Sequence, residues 1–134
     1  METPVKTYHI FYEKELDAVV MEWHGYATSR QFREGTELML NTLIRHKAGK
    51  VLADVQDMIM IGMEDQQWLE EDFLPRAINF GFRAVAMVRP RSYFNKVAVE
   101  SVSYKVDKNK LSINFFDNAD EARAWLRAYS VQGS

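Results

Sequence analysis

The sequence contains no cysteine, only three prolines and no long hydrophobic run. The absence of cysteine excludes disulfide bonds, a thiolate nucleophile and a cysteine-based zinc site. The most apolar run, residues 58–63, is far too short to span a bilayer, so we expect no membrane insertion. No signal-peptide pattern opens the chain, which predicts a cytoplasmic protein.

What the chain does contain is typical of one globular domain. Its 134 residues are 47% hydrophobic and 27% charged, which suits a single soluble core and leaves no room for a second. We therefore predict one domain over residues 1–134, with residues 130–134 as a frayed tail.

Charge is distributed unevenly along the chain. Residues 1–75 carry seven Lys/Arg against fourteen Asp/Glu, a net −7, whereas residues 76–134 carry ten against five, a net +5. A basic half could indicate nucleic-acid binding. These Lys and Arg residues are spread over several predicted elements, however, and no aromatic-basic ribonucleoprotein motif accompanies them. The distribution favours a solvated surface or a self-complementary dimer contact, and we predict no nucleic-acid partner.

Hydrophobic periodicity predicts strands and helices in alternation. Apolar and polar residues alternate over residues 7–13 and 17–24, as is typical of strands. The short turn between these two strands indicates an antiparallel hairpin. Thr28 and Gln31 form a capping box that begins a helix, and Gly49 is its predicted terminator. Further along, strands are predicted at 51–55, 82–88 and 111–116, and helices after Glu64, Ser92 and Asp117 or Asn118.

The order of the elements, β-β-α-β-α-β-α-β-α, is typical of an α/β domain. Strands that alternate with helices are joined by right-handed crossovers, so we predict a mainly parallel sheet with the first strand as an antiparallel edge. Pro75 lies inside the second helix, where its missing N–H predicts a kink or a break. The third helix is predicted to turn Val97, Ala98 and Val102 towards the sheet.

Three segments of the chain resemble a known family. They are residues 20–29 (VMEWHGYATS), 50–54 (KVLAD) and 116–126 (FDNADEARAWL). These patterns resemble the SpoIIAA-like family of the STAS superfamily, whose fold is related to that of anti-sigma-factor antagonists and is more distantly similar to CRAL-TRIO lipid-transfer domains. The resemblance covers nearly the whole chain. It implies four consecutive βα units with helices largely on one face of the sheet.

The chain departs from the anti-sigma-factor antagonists in one respect. Those proteins carry a phosphorylatable Ser or Thr where the loop after the third strand enters the next helix. The matching stretch here is 60–65, and no hydroxyl side chain occurs from Val55 to Asp72. This departure predicts a STAS-like module without that phospho-switch. Glu64 and Asp65 could imitate a permanently phosphorylated state, but helix N-terminal electrostatics is the simpler explanation of the pair.

An apolar loop is the most unusual feature of the sequence. It comprises Met58, Ile59, Met60, Ile61 and Met63 and follows the end of a predicted buried strand, where open α/β sheets bind ligands. Each of these side chains forfeits roughly 1.5–3 kcal/mol if it is left in water, so something should cover it. The protein's own core, a partner or second subunit, and a small apolar ligand are the three alternatives.

Trp68 and two aspartates flank this apolar loop. Trp68 is either a core residue or an anchor for a partner docked on the loop. Asp54 and Asp57 could bind a divalent cation or serve as acid and base, but too few oxygen ligands accompany them. We predict that they structure the loop by accepting hydrogen bonds from its backbone N–H groups.

The sequence shows no recognisable catalytic pattern. It contains no His-Glu-x-x-His, Gly-x-Ser-x-Gly, Walker or dinucleotide motif. His9 and His24 could face each other across the hairpin, where cross-strand packing is favoured over a metal or acid–base site. We therefore predict a protein that is not an enzyme and has no catalytic residue, no metal and no cofactor.

These observations favour a non-catalytic regulatory or protein-interaction module. Its predicted partner is another protein, or a second copy in a homodimer, bound through residues 58–63 with Trp68 as the anchor. The alternative is a carrier or sensor of a small apolar, lipid-like ligand that is held near the same loop.

Overall fold

The computed structural model describes residues 7–58 and 62–129, and of residues 93–95 the backbone alone. The predicted loop residues 59–61 and the predicted tail 130–134 lie outside the described residues. β1 runs antiparallel to β2 and the other neighbouring strands are parallel, which confirms the predicted α/β class and its antiparallel edge. Within the described residues, one sheet contains, in this order, β1 (Tyr8–Glu13), β2 (Ala18–Gly25), β3 (Lys50–Met58), β4 (Ala84–Val88) and β5 (Ser112–Phe116).

A tight turn joins β1 to β2. Asp17 has a φ of 49°, a left-handed conformation that aspartate tolerates better than most residues, and its N–H donates to the Lys14 carbonyl at 3.1 Å. The Tyr12 hydroxyl donates to the Asp17 carboxylate at 2.6 Å, and this hydrogen bond raises the pKa of Tyr12 above its ordinary value. The turn sets the register in which Tyr12 lies opposite Val19.

The helix α1 (Ser29–Arg45) begins as predicted and ends earlier than predicted. Thr28 Oγ1 accepts the N–H of Gln31 at 3.1 Å, and the Gln31 side chain accepts the N–H of Thr28 at 3.0 Å, so the capping box is confirmed. Lys47 has a left-handed conformation (φ 53°). The backbone N–H of the residue after Lys47 donates to a backbone carbonyl in the last turn of the helix at 3.0 Å. Gly49 as the terminator is therefore wrong, because this turn closes the helix at Lys47.

A continuous helical segment follows β3. The Leu74 N–H donates to the Leu69 carbonyl, five residues back, which widens the helix into a π-helical turn. Pro75 is the second residue after that turn, so the predicted kink or break takes the form of a widened turn and the helix continues beyond it. The parts of the segment are α2 (Met63–Trp68), the π-helical turn (Leu69–Phe73) and α3 (Leu74–Asn79).

Right-handed crossovers place most helices on one face of the sheet. α1, the segment 63–79 and α4 (Tyr93–Tyr104) each connect a strand to the next strand in the sheet, always in the same direction, so each returns on the same face. α5 (Ala119–Ala128) follows the last strand and packs on the opposite face. The helices therefore lie largely on one face, as the family resemblance implied.

The strands divide the core into two layers. Val51 and Val85 face α1 and the segment 63–79, whereas Leu52 and Ala86 face α5, because successive side chains of a strand point to opposite faces. The first layer holds the larger side chains and the more extensive packing. No helix in the ranges 7–58 and 62–129 is long and apolar enough to cross a membrane.

Candidate functional site

An apolar cavity of about 110 Å³, here called the inner cavity, lies in the first core layer. The sheet forms one wall, and α1, the segment 63–79 and α4 form the other. It lies above the central strands of the sheet, and residues of the π-helical turn contribute to its wall. The lining residues include Met21, Trp23, Phe32, Met39, Ala53, Val55, Met58, Phe73, Met87, Val99 and Leu111.

Two hydroxyl side chains also belong to the wall, and both are engaged within their own helices. Thr36 Oγ1 donates to the Phe32 carbonyl at 2.7 Å, and Ser103 Oγ donates to the Glu100 carbonyl at 2.8 Å. Neither hydroxyl proton is therefore available to a molecule inside the cavity. A ligand in the inner cavity would be held by apolar contacts.

Methionine is over-represented in the wall. Of the five methionines in the described part of the chain, four line the inner cavity: Met21 from β2, Met58 from β3, Met87 from β4 and Met39 from α1. Unbranched thioether side chains adjust their shape at little cost, which suits surfaces that adapt to a bound molecule. The wall of the cavity can therefore follow the outline of an apolar ligand.

The described residues of the predicted apolar loop differ in burial. Met58 is 3% exposed and belongs to β3, which runs beyond its predicted end at Val55. Its side chain packs with Trp23 and Phe32 and lines the inner cavity, so it contributes to the interior and not to an exposed partner surface. Met63, at the start of α2, is 78% exposed.

Trp68 lies at the outer border of the inner cavity. Its ring packs against Phe32 and Phe73, with centroids 6.3 and 5.4 Å away, and both of those residues line the cavity. The Arg33 guanidinium lies 5.2 Å from the Trp68 ring centroid and also bonds the buried Asp65 at 3.1 Å. Trp68 is thus half-buried, and its ring packs between α1 and the π-helical turn, which makes it part of the cavity's support.

Asp54 and Asp57 both lie within β3 and have separate partners. The strand contains a bulge between them, since Asp54 lies opposite Glu22 while Asp57 lies opposite His24. Asp54 accepts the backbone N–H of Gln56 at 3.2 Å and its side-chain amide at 3.1 Å. Asp54 therefore stabilises the bulge, at the end of the strand that leads into the predicted loop.

Asp57 and the two hairpin histidines form a polar row on the α5 side of the sheet, beyond α5 itself. Asp57 lies 3.8 Å from His24 Nδ1 and 3.5 Å from Arg91 Nη1. His9 lies opposite Glu22, with Nδ1 3.3 Å from the carboxylate. His24 lies two residues further along β2, so the predicted facing of His9 and His24 is wrong. No group of three or more His, Asp and Glu in the described part of the chain could hold a metal ion.

The predicted inward face of α4 is only partly correct. Val97 is 48% exposed, whereas Val99, which the predicted stripe omitted, is 7% exposed and lines the inner cavity. Ala98 and Val102 are buried as predicted. The signal for Val99 was present in the sequence, because positions 98, 99 and 102 also form a helical stripe.

The five-stranded arrangement and its helix positions can be compared with known proteins. A model of the SpoIIAA-like family matches residues 18–127. The chain belongs to the SpoIIAA-like family. Among solved structures, this SpoIIAA-like protein is similar to an uncharacterised protein of the DUF3478 family with a SpoIIAA-like fold from Shewanella loihica PV-4, at 18% identity and a TM-score of 0.63. The match covers 94% of this chain and 98% of that chain, and at this identity it shows the fold alone. A comparison with curated proteins finds no match.

Proposed function

We propose that this SpoIIAA-like protein is a non-catalytic STAS-type module that binds a small apolar ligand in the inner cavity, as a carrier or a sensor. The cavity itself carries the proposal. An empty, unrelaxed void of about 110 Å³ destabilises a protein by on the order of 2–3 kcal/mol. Water would relieve little of this, because the walls offer it too few hydrogen-bonding partners. An apolar molecule regains the missing contacts and so stabilises the folded state.

The proposed module works without phosphorylation of the loop after β3. Residues 55–72 contain no Ser, Thr or Tyr to phosphorylate. Asp65, near the start of α2, accepts a hydrogen bond from Ser29 Oγ at 2.6 Å and is 7% exposed, so its charge links α1 to α2. In this proposal the ligand, and not a phosphate, sets the state of the segment 63–79 beside the cavity.

Filling the cavity from within tests the proposal. Ala53→Val adds two methyl groups to a side chain that lines the inner cavity, and it should raise the free energy of unfolding by about 1.5 kcal/mol, since each buried methylene contributes about 0.8 kcal/mol. Urea denaturation measures this change. The same variant should weaken the binding of a small hydrocarbon probe such as benzene, measured by calorimetry.

Ala86→Val is the matched control. Ala86 is also a fully buried strand alanine, but it packs in the layer under α5 and does not line the inner cavity. Enlarging it should overpack that layer and lower stability by about 1 kcal/mol or more, without affecting the probe. Equal destabilisation by both valines, together with unchanged benzene binding, would contradict an accessible inner cavity.

Protein docking is a second candidate function, and exposed apolar residues favour it. Tyr26, Met63 and Val97 are 61%, 78% and 48% exposed, and they follow the carboxyl ends of β2, β3 and β4. The carboxyl ends of parallel strands meet at one edge of the sheet, so these residues share that edge. STAS-like domains generally mediate protein interactions, and the partner proposed for this edge is another protein or a second copy of the chain.

Met63→Gln tests docking between copies. We expect the protein to form a dimer in sedimentation measurements and Met63→Gln to weaken it about tenfold, because an interface methionine buries apolar area that glutamine does not. Tyr104→Gln is the control, since Tyr104 is also 78% exposed but lies at the end of α4, away from the carboxyl edge. A protein that stays monomeric at every concentration would rule out the homodimer.

A further inference from the structure

A second pocket, here called the outer pocket, shares a wall with the inner cavity. It has a volume of about 460 Å³, and Leu74 lines both spaces. Leu74 is partly buried and is the first residue after the π-helical turn. One side chain therefore separates an apolar interior from a pocket that opens to solvent.

Neighbouring residues along the chain contribute to the two spaces in turn. Phe82 lines the inner cavity, and its neighbour Arg83 lines the outer pocket. Likewise, Leu111 lines the inner cavity, and its neighbour Lys110 lines the outer pocket. Lys105 lines the outer pocket, two residues after a residue of the inner wall. Three cations, Arg83, Lys105 and Lys110, therefore line the outer pocket, which borders the apolar inner cavity at Leu74.

The charges of the outer pocket leave an excess of one cation. Lys105 Nζ pairs with Glu70 at 3.2 Å, and the Glu70 side chain is only 14% exposed. Arg83 Nη1 donates to the Ile78 and Phe82 carbonyls at 2.7 and 3.0 Å. Lys110 has no ion pair within the described residues and is exposed. Three cations against Glu70 and Asp107 thus favour an anion of single charge.

We propose that the ligand is a carboxylate with a short hydrocarbon tail. The tail occupies the inner cavity beyond Leu74, and the carboxylate lies in the outer pocket beside Lys110. This inference rests on the proposed function, because it assumes that the inner cavity takes a ligand. It adds the class of that ligand and the direction in which it lies.

Three probes of matched structure test the two parts of the proposed site. Hexanoate has both tail and charge, 1-hexanol has the tail alone, and acetate has the charge with almost no tail. Calorimetry should show hexanoate binding about five to ten times more tightly than 1-hexanol, as one favourable ionic contact allows. Acetate should not bind measurably, and added salt should weaken hexanoate alone.

Lys110→Gln should reduce hexanoate affinity about five- to tenfold and leave 1-hexanol unchanged. Lys108→Gln is the control, since Lys108 is equally exposed on the same loop but does not line the outer pocket. Equal affinities for hexanoate and 1-hexanol, or equal effects of the two lysine variants, would overturn the carboxylate proposal while the apolar site stands. If none of the tailed probes binds, the proposed function fails as well.

Discussion

Replacing Gly35 with alanine should lower the free energy of unfolding by about 2 kcal/mol, even though alanine is normally the better residue inside a helix. A β-carbon at position 35 would lie 2.6 Å from Cη2 of Trp23 and 3.0 Å from Cδ1 of Tyr8. Trp23 is 2% exposed and packs against Tyr8 and Phe32 at centroid distances of 5.2 and 5.6 Å, so its ring has no free space to enter. Overpacking of this kind costs about 3 kcal/mol at the upper end of its usual range. The gain in helix propensity offsets only about 1 kcal/mol of it.

Urea denaturation of two backgrounds separates the clash from other effects of the substitution. In a Trp23→Phe protein the smaller ring no longer reaches position 35, so Gly35→Ala should then cost less than about 1 kcal/mol. If alanine destabilises both backgrounds equally, contact with the indole ring is not the cause. Trp23 lines the inner cavity, so Gly35→Ala should also reduce benzene binding in the original background.

The order of the elements could be predicted because it depends on local periodicity. The alternation of apolar and polar residues in β1 and β2, and the helical spacing of apolar residues in α1, are visible within short stretches of the sequence. The Thr28–Gln31 capping box likewise involves residues only three apart. The parallel sheet then follows from the handedness of crossovers. Gly35 carries no such signal, because its neighbour Trp23 approaches it only after β2 and α1 have packed.

The ends of the elements could not be predicted with the same success. β3 was expected to stop at Val55, but pairing with β2 and a bulge held by Asp54 extend it to Met58. α1 was expected to end at Gly49, yet Lys47 adopts the left-handed conformation first. In both cases a contact or backbone conformation outside the local pattern determines the boundary.

The sequence carries only part of the signal for the candidate site. The cost of leaving methionines in water predicts that Met58 needs cover, and Met58 is 3% exposed in the cluster that contains Trp23 and Phe32. The inner cavity itself gives no sequence signal, because its volume is the space left after seven elements have packed. The same holds for the outer pocket, in which Arg83 comes directly before β4 and Lys110 comes from the loop between α4 and β5.

Lys50→Met should destabilise the protein by about 2 kcal/mol. Lys50 is 8% exposed at the start of β3, and its Nζ donates to the carbonyls of Leu126 and Tyr129 at 2.8 and 3.4 Å. These carbonyls end α5, where the partial negative charge of the helix favours a cation. Methionine keeps the apolar stem but removes the charged donor, and hydrogen bonds to charged groups contribute about 1.5–3 kcal/mol each. The substitution also removes the cost of burying the ammonium group, and this gain offsets part of the lost stability.

Hydrogen exchange shows whether the loss is located at α5. Amides in the last turn of α5 should exchange faster in Lys50→Met than in the original protein, while amides of α1, on the other face of the sheet, should change only with global stability. Lys14→Met is the control, because Lys14 is an exposed lysine in the hairpin turn and its loss should change stability by less than about 0.5 kcal/mol. If Lys50→Met and Lys14→Met have equal effects, the Lys50 contact does not stabilise α5. If the predicted loss is observed, one buried lysine attaches α5 to the sheet, and the second core layer depends on hydrogen bonds from a charged group as well as on apolar packing.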